Sequence, residues 1–273
     1  MKYLNGLKAS CVVILFTFNV ATAAEGVKIQ STTKDVSSGS TSSTNIYLTS
    51  DKVLLENRGG RDNGSVVFDA IREEFRFIDH NKKEYYVFDK QTLIQLKDQI
   101  KMMAMMMRQF ADQMSEEQRK KLDKIMNPNS NASMEFKASN KTQKVSRWKT
   151  TKYEGYTDGA KITEMYIATF ESIGIDKERF TAMQKMMSFF KQNLNEITAL
   201  LPTGGSFSQI GFDESSPVFK DGIPVKTISY NNGTPKDENI VNSISSENIA
   251  ETLFNIPQGY IQRSINIQNQ MGR

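Results

Sequence analysis

Cysteine and histidine are the residues that this chain nearly lacks. Its 273 residues include one cysteine, Cys11, and one histidine, His80. A single cysteine cannot form a disulfide within the chain, and one histidine without further ligands cannot hold a zinc ion. A Ser-His-Asp triad needs an oriented histidine beside a nucleophile, whereas Asp79-His80-Asn81-Lys82 is typical of an exposed hairpin turn. The sequence therefore predicts a protein that is not an enzyme, with no catalytic residues, no assigned metal ligands and no cofactor. Carboxylates are numerous, and a glycosidase-like pair stays open as a less favoured class.

The chain also lacks a dominant charge. It carries 35 lysines and arginines against 31 aspartates and glutamates, a formal net charge of +4. Nucleic-acid binding calls for a basic stripe or patch. The densest basic run, residues 119–121, lies among acidic residues and is typical of a solvated helix face. We therefore expect no nucleic-acid partner.

A long hydrophobic run is missing as well. A membrane-spanning helix needs about 20 apolar residues, and the stretch from Ala9 to Ala21 is shorter. Lys2 and Lys8 precede its apolar centre and Ala21-Thr22-Ala23 follows it, which is the pattern of a secretory signal. We predict a signal peptide over residues 1–24, cleaved after Ala23 or Ala24. Residues 25–273 would form one mature domain without a transmembrane segment, located in the periplasm, with secretion as the second choice.

Short segments rich in β-branched and aromatic residues, separated by turn formers, fill the first part of the mature chain. They leave no room for crossover helices, so the sheet they predict is antiparallel. The strands expected there are 27–36, 44–49, 53–55, 65–69, 75–79 and 84–89. Further strands are expected at 143–156, 162–170, 218–219, 225–230, 238–244 and 254–260.

Two stretches repeat apolar residues at alternating steps of three and four, which places them on one stripe of a helix. The first runs from Leu93 to Met114, with a second short helix to Met126, and the other runs from Phe180 to Leu201. Polar connections, predicted to be mobile, follow at 127–140 and 202–217. An apolar helix face must be buried against another layer. The predicted fold class is therefore α+β: a large curved antiparallel sheet, unclosed and half-barrel-like, with two or three helices covering its concave face.

Methionine is in excess, with 14 residues, five of them at positions 102–107. Those on the apolar stripes fill gaps in a core, as methionine does well: Met103, Met107, Met183 and Met187. Those that flank the stripes widen the apolar face: Met102, Met105, Met106 and Met186. Three hypotheses account for the extra surface. They are a wide core under a curved sheet, a lid over a cavity for a flexible apolar ligand, and a soft-metal site for Cu(I).

The order of several motifs resembles that of a known family. They are Val66-Val67-Phe68-Asp69, Phe75-Arg76-Phe77-Ile78-Asp79-His80, Glu84-Tyr85-Tyr86-Val87-Phe88-Asp89 leading into the Met-rich helix, residues 148–153, Glu164-Met165-Tyr166-Ile167-Ala168, Gly222-Ile223-Pro224 and Phe254-Asn255-Ile256-Pro257-Gln258-Gly259-Tyr260. The chain resembles the exported bacterial domains of unknown function numbered 4412. That family is similar to the lipoprotein-localisation (LolA/LolB-like) carriers of the Gram-negative periplasm. The resemblance implies an unclosed barrel with a helical lid over an apolar cavity, and it brings no catalytic residues.

The expected function is a periplasmic, non-catalytic binding protein or carrier for an apolar ligand, either a lipid or a lipoprotein acyl chain. The ligand would lie between the sheet and the two helical stripes. An envelope protein-interaction or structural module with a closed core is the alternative, and Cu(I) binding through methionines is the third. The predicted hydrophobic lining consists of Leu96, Ile100, Met103, Met107, Phe110, Met114, Phe180, Met183, Met187, Phe190 and Leu194.

Overall fold

Twelve strands and three α-helices make up the part of the chain that the computed structural model describes, residues 23–58, 63–109, 115, 116, 119, 134–193 and 216–264. The strands are β1 (Ala23–Asp35), β2 (Thr41–Leu48), β3 (Lys52–Arg58), β4 (Gly64–Asp69), β5 (Glu74–Asp79), β6 (Glu84–Phe88), β7 (Glu135–Val145), β8 (Trp148–Thr157), β9 (Ala160–Ala168), β10 (Ile223–Asn231), β11 (Thr234–Ala250) and β12 (Ile261–Gln262). The helices are α1 (Lys90–Arg108), α2 (Phe170–Ile173) and α3 (Thr181–Asn193), with 3-10 turns at Lys177–Phe180 and Glu251–Phe254.

All the strands belong to one sheet with two open edges. Its order is β12-β6-β5-β4-β3-β2-β1-β11-β10-β9-β8-β7. Neighbouring strands run antiparallel except β12 and β6, which are parallel. The long strand β11 returns to the middle of the sheet, where it pairs with β1 from Ala23↔Ala250 to Asp35↔Asp237. The predicted class, a large unclosed antiparallel sheet with a few helices, is confirmed.

Three predicted strands are wrong, and so is part of a predicted connection. Residues 254–260 are the end of a 3-10 turn and an irregular segment, and Val218 forms only an isolated bridge. The segment 143–156 is the end of β7 and most of β8, which are joined by a tight turn at Ser146 and Arg147. Residues 135–140, expected to be a mobile connection, belong to β7, and 127–133 lie outside the described residues. Strand β7 is an edge strand that exposes Lys137, Lys141 and Lys144. Charged side chains protect a sheet edge from unwanted pairing, and they also remove the apolar alternation that identifies a strand.

Strands β3, β4 and β5 have buried residues on both faces, which explains the continuous apolar runs Val53-Leu54-Leu55 and Val66-Val67-Phe68. Val53, Phe68 and Phe75 enter the main core on one face. Leu54, Val67, Ile78, Ile249 and Phe254 form a second core on the other. The C-terminal segment covers this second face, and the side chain of Phe254 is 1% exposed. An ion pair of 2.6 Å between Lys52 Nζ and Glu251 Oε2 fastens the same segment.

The helices begin close to their predicted positions. Helix α1 begins at Lys90 because the carboxylate of Asp89 accepts the backbone N–H of Thr92 at 2.7 Å, a side-chain N-cap. Hydrogen bonds from the side chain and the backbone of Thr92 lower the pKa of Asp89. Asp176 precedes the turn that leads into α3, but its side chain makes no cap hydrogen bond. Residues 110–114 and 194–201 of the predicted helices, and all of helix 115–126 except residues 115, 116 and 119, lie outside the described residues.

No described helix is both long and apolar enough to cross a bilayer. Helix α1 has 19 residues, but its lysines and glutamines keep its mean hydropathy low.

Candidate functional site

Helix α3 packs its aromatic side chains into the sheet. The ring of Phe189 lies 5.8 Å from that of Phe68 and 5.7 Å from that of Phe75, measured between centroids. Phe190 meets Phe75 edge to face at 6.4 Å. Tilted and edge-to-face pairs at these distances are favourable aromatic contacts. Side chains therefore fill the space between α3 and strands β4 and β5.

The predicted lining residues fall into three groups. Leu96, Phe180, Met183 and Phe190 are buried together in the main core, and Met187 packs half-buried beside them. Ile100, Met103 and Met107 lie in helix α1, where only their backbone is described. Phe110, Met114 and Leu194 lie outside the described residues. That these side chains line a ligand cavity stays a prediction.

The buried face of α3 differs in part from the predicted stripe. Met186 was expected to flank the core, yet its side chain is 4% exposed, whereas Met187 is the half-buried one. Ala182 and Phe189 are buried as well. The buried face of α3 is therefore rotated from the predicted stripe toward Ala182 and Phe189. The ring of Phe189 contacts both Phe68 and Phe75 of the sheet. Met186 therefore fills the core and does not widen an outer apolar face.

Helix α1 exposes three methionines to solvent. Met102, Met105 and Met106 are 61%, 59% and 53% exposed, and Ile94, two turns earlier, is 53% exposed. They lie on the side of the helix opposite Leu93 and Leu96, which are buried against the sheet. Methionine is normally among the most buried residue types. The prediction that these three methionines widen the apolar surface beyond the core agrees with their exposure.

The side chain of His80 makes two hydrogen-bond contacts that the sequence of its turn did not indicate. Its Nε2 lies 2.7 Å from Ser65 Oγ and its Nδ1 lies 3.0 Å from the hydroxyl of Tyr260. Asp79 holds the turn by accepting the backbone N–H groups of Asn81 and Lys82, both at 3.0 Å. His80 therefore lies in the predicted hairpin turn, but it is half-buried beside two hydroxyl groups and not exposed as expected.

The Ser65–His80–Tyr260 contact joins two segments of the chain through hydrogen bonds. A neutral imidazole has one donor and one acceptor, so it can bond both hydroxyls at once. In a Ser-His-Asp triad a carboxylate stabilises the imidazolium, and here a phenol takes that place. Ser65 is 6% exposed. The contact ties the C-terminal segment to the start of β4. His80 and Tyr260 are 180 residues apart in the sequence, so no local signal could have revealed the contact.

A network of paired charges joins strands β8 and β9. The carboxylate of Glu164 is 7% exposed and lies 3.1 Å from Lys152 Nζ and 2.6 Å from Lys161 Nζ. Burial opposes its ionisation, but hydrogen bonds from Lys161 and Lys152 outweigh burial and lower the pKa of Glu164 to about 2. Glu154 accepts from Lys152 at 2.9 Å and from the Tyr156 hydroxyl at 2.8 Å.

The pKa of Lys152 has opposed causes in the same way, whereas the causes for the neighbouring Tyr153 act together. Burial lowers the pKa of Lys152, yet its bonds to Glu154 and Glu164 raise it further than burial lowers it. Burial and a hydrogen bond to Asp221 raise the pKa of Tyr153 to about 12. Perturbed pKa values mark functional sites and structural ion-pair networks alike. Each carboxylate of this network is paired with a lysine of the same two strands. The sequence indicated β9 but neither the bounds of β8 nor the register that brings the charges together.

Among the described residues, no group of three or more histidine, cysteine, aspartate or glutamate side chains is arranged to hold a metal ion. A metal ligand set built from oxygen and imidazole is therefore not found in that part of the chain. Thioether sulfur is the remaining donor type, and α1 exposes three such side chains.

Comparison with known proteins leaves the family open. No protein family and no curated protein matches the sequence. The resemblance to the exported domains numbered 4412 therefore stays a prediction.

Solved structures share only a loose likeness with the chain. An uncharacterized conserved protein from Thermus thermophilus aligns with a TM-score of 0.44 and 8% identity, over 90% of this chain and 91% of that one. PNGF-II aligns with a TM-score of 0.42 and 11% identity, over 91% of this chain and 32% of its own length. MucB gives a TM-score of 0.36 and 9% identity, over 88% of this chain and 58% of its own. Values this low carry no argument about function.

Proposed function

We propose that this chain is a periplasmic, non-catalytic binding protein or carrier for an apolar ligand, such as a lipid or a lipoprotein acyl chain. The observation that carries the proposal is the exposure of Met102, Met105 and Met106 on helix α1. Flexible thioether side chains re-pack around apolar shapes and recur at adaptable binding surfaces.

The packing of the helices guides our choice of a position for the ligand. The space beside α3 is occupied by Phe189 and Phe190, which contact the phenylalanines of the sheet. We therefore place the ligand against α1, beyond the buried side chains of Leu93 and Leu96. In this proposal the helices cover the concave face of the sheet, and α1 is the part of that cover that accepts the ligand.

The driving force is burial of hydrocarbon. Each methylene group removed from water contributes about 0.8 kcal/mol, so micromolar affinity, about −8 kcal/mol, takes at least about ten buried methylenes, and more once the cost of association is included. An acyl chain of a membrane lipid supplies a number of this order. A carrier must also release its cargo, and moderate affinity on an open helix face meets that need. No bond is made or broken, which agrees with the non-enzymatic prediction from the sequence.

The test is uptake of a fluorescent fatty-acid analogue by the delipidated protein, combined with native mass spectrometry of protein purified from its own envelope. We expect saturable uptake and a co-purifying lipid. The variant Met102→Gln/Met105→Gln/Met106→Gln removes the apolar surface while keeping side chains of similar helix propensity, and we expect it to bind about tenfold more weakly or worse.

Ile71 provides the matched control. It is 76% exposed in the turn between β4 and β5 and does not belong to α1, so Ile71→Gln removes an exposed apolar side chain other than the three methionines. Its uptake should equal that of the wild type. Bare protein mass with no uptake, or equal uptake by the triple glutamine variant, would contradict the proposal.

The second candidate is an envelope protein-interaction or structural module with a closed core. The filled space between α3 and the sheet favours it, since Phe189 is 7% and Phe190 is 3% exposed. This module would take up no fatty acid, and its methionine face would instead contact a protein. The uptake experiment therefore separates the two functions.

A further inference from the structure

We infer that Met102, Met105 and Met106 form a binding site for a soft monovalent cation, Cu(I), through their thioether sulfurs. The inference uses the same three side chains as the apolar-ligand proposal but does not rest on it. It depends on sulfur, whereas binding of an acyl chain depends on apolar area.

The helix brings the three side chains to one place. Residues three and four positions apart on a helix are neighbours, with Cβ atoms about 5–6 Å from each other. Met102 has this relation to both Met105 and Met106, within one turn of α1. Each methionine has three rotatable bonds beyond Cα, so three sulfurs can turn toward one ion. All three side chains are more than half exposed, which leaves them free to do so.

The donor type selects the metal. Thioethers are soft ligands that favour Cu(I) over hard divalent ions. A thioether carries no proton that a metal must displace, unlike cysteine or histidine. Binding should therefore vary little with pH across the range in which the protein is folded. An exposed site on one helix turn also suits a metal that is passed on and not stored.

Among the side chains that the structure describes around the site, one acidic and one basic group oppose each other. Asp98 lies one turn before Met102 and is exposed, so its carboxylate attracts a cation. Lys101 is exposed on the flank of the same face and opposes that attraction. The sulfurs, and not the local electrostatic field, must then supply the selectivity.

The experiment titrates the full chain with Ag(I), a redox-stable ion of the same charge and softness, followed by Cu(I) under anaerobic conditions. All proteins carry Cys11→Ser, because Cys11 is the only thiol of the sequence and would bind either ion. We expect a single ion per chain by native mass spectrometry, and copper–sulfur scattering without nitrogen ligands by X-ray absorption.

The deciding variant is Met102→Leu/Met105→Leu/Met106→Leu. Leucine keeps the apolar area and the helix propensity but has no sulfur. We expect the variant to bind Ag(I) about tenfold more weakly or worse while still taking up the fatty-acid analogue. Met186→Leu, which removes a thioether buried at 4% exposure, is the control and should bind Ag(I) as the wild type does.

Two outcomes would overturn the inference. One is a wild-type chain that binds no Ag(I) at micromolar concentration. The other is a triple leucine variant that keeps wild-type stoichiometry and affinity. Failure of the carrier proposal would give a different result: neither the wild type nor the leucine variant would take up the fatty-acid analogue.

Discussion

Glu164→Gln tests the charge network between strands β8 and β9. In the folded protein the pKa of Glu164 is about 2, against its ordinary value of 4.5. A carboxyl group whose pKa is lower in the folded state stabilises that state when it is ionised. This stabilisation is fully present above pH 4.5 and is lost as the pH falls through the window toward 2.

The magnitude follows from the same two values. The difference between 4.5 and about 2, at about 1.4 kcal/mol per pKa unit, sets a ceiling near 3 kcal/mol. Lys152 and Lys161 are 25% and 30% exposed, and water screens part of their attraction. We therefore expect Glu164→Gln to lower the free energy of unfolding by about 2 kcal/mol at pH 7.

The assay is urea unfolding followed by the fluorescence of Trp148. It is the only tryptophan of the chain, it is 2% exposed, and it begins strand β8. The difference between wild type and variant should shrink as the pH falls from 7 toward 3, because Glu164 becomes protonated in the unfolded chain below pH 4.5 while it stays ionised in the folded protein down to about pH 2.

Glu247→Gln is the control for this series. Glu247 is 42% exposed and lies 3.8 Å from Lys28, an exposed ion pair of the kind worth less than about 1 kcal/mol. The control should therefore unfold much like the wild type at each pH. A Glu164→Gln effect that stays constant from pH 7 to 3, or that is absent at pH 7, would refute the reasoning.

Two further substitutions test the packing of α3 and the attachment of the C-terminal segment. Phe189→Ala should lower the free energy of unfolding by about 3–5 kcal/mol, because it leaves a cavity between Phe68 and Phe75. A loss below about 1 kcal/mol in urea unfolding would show that the α3 interface is loose. Tyr260→Phe removes only the hydroxyl bonded to His80 at 3.0 Å and should lower the free energy of unfolding by about 1 kcal/mol. It should also speed amide hydrogen exchange in the segment 251–263, and unchanged exchange would show that the bond does not hold this segment in place.

The strands could be read from the sequence because burial on two faces leaves strong local patterns. Val53-Leu54-Leu55 and Val66-Val67-Phe68 are continuous apolar runs because their residues enter the two cores alternately. Strand β7 has no such pattern, since an edge strand is protected by lysines and not by apolar contacts. The antiparallel class was therefore predictable, while the hairpin of β7 and β8 was not.

The site was harder to predict because it depends on contacts between distant segments. The step pattern of α3 identified a buried stripe, but the choice between Met186 and Met187 was made by the fit of Phe189 against the sheet. The partner of His80 comes from Tyr260, at the far end of the chain. Glu164 likewise meets Lys152 through strand register, which one sequence does not encode locally.

The two cores imply a division between a rigid part and an adaptable part of the molecule. Strands β3 to β5 are held on one face by the phenylalanines of α3 and on the other by Phe254 and its neighbours. A ligand could enter these tightly packed cores only by displacing side chains and opening a cavity, and both steps cost free energy. Binding to the outer face of α1 requires neither step, because Met102, Met105 and Met106 are already exposed to solvent. A ligand that needs area and a metal that needs sulfur would compete there, so fatty acid should displace Ag(I) from the wild type, and the leucine variant should bind fatty acid without regard to Ag(I).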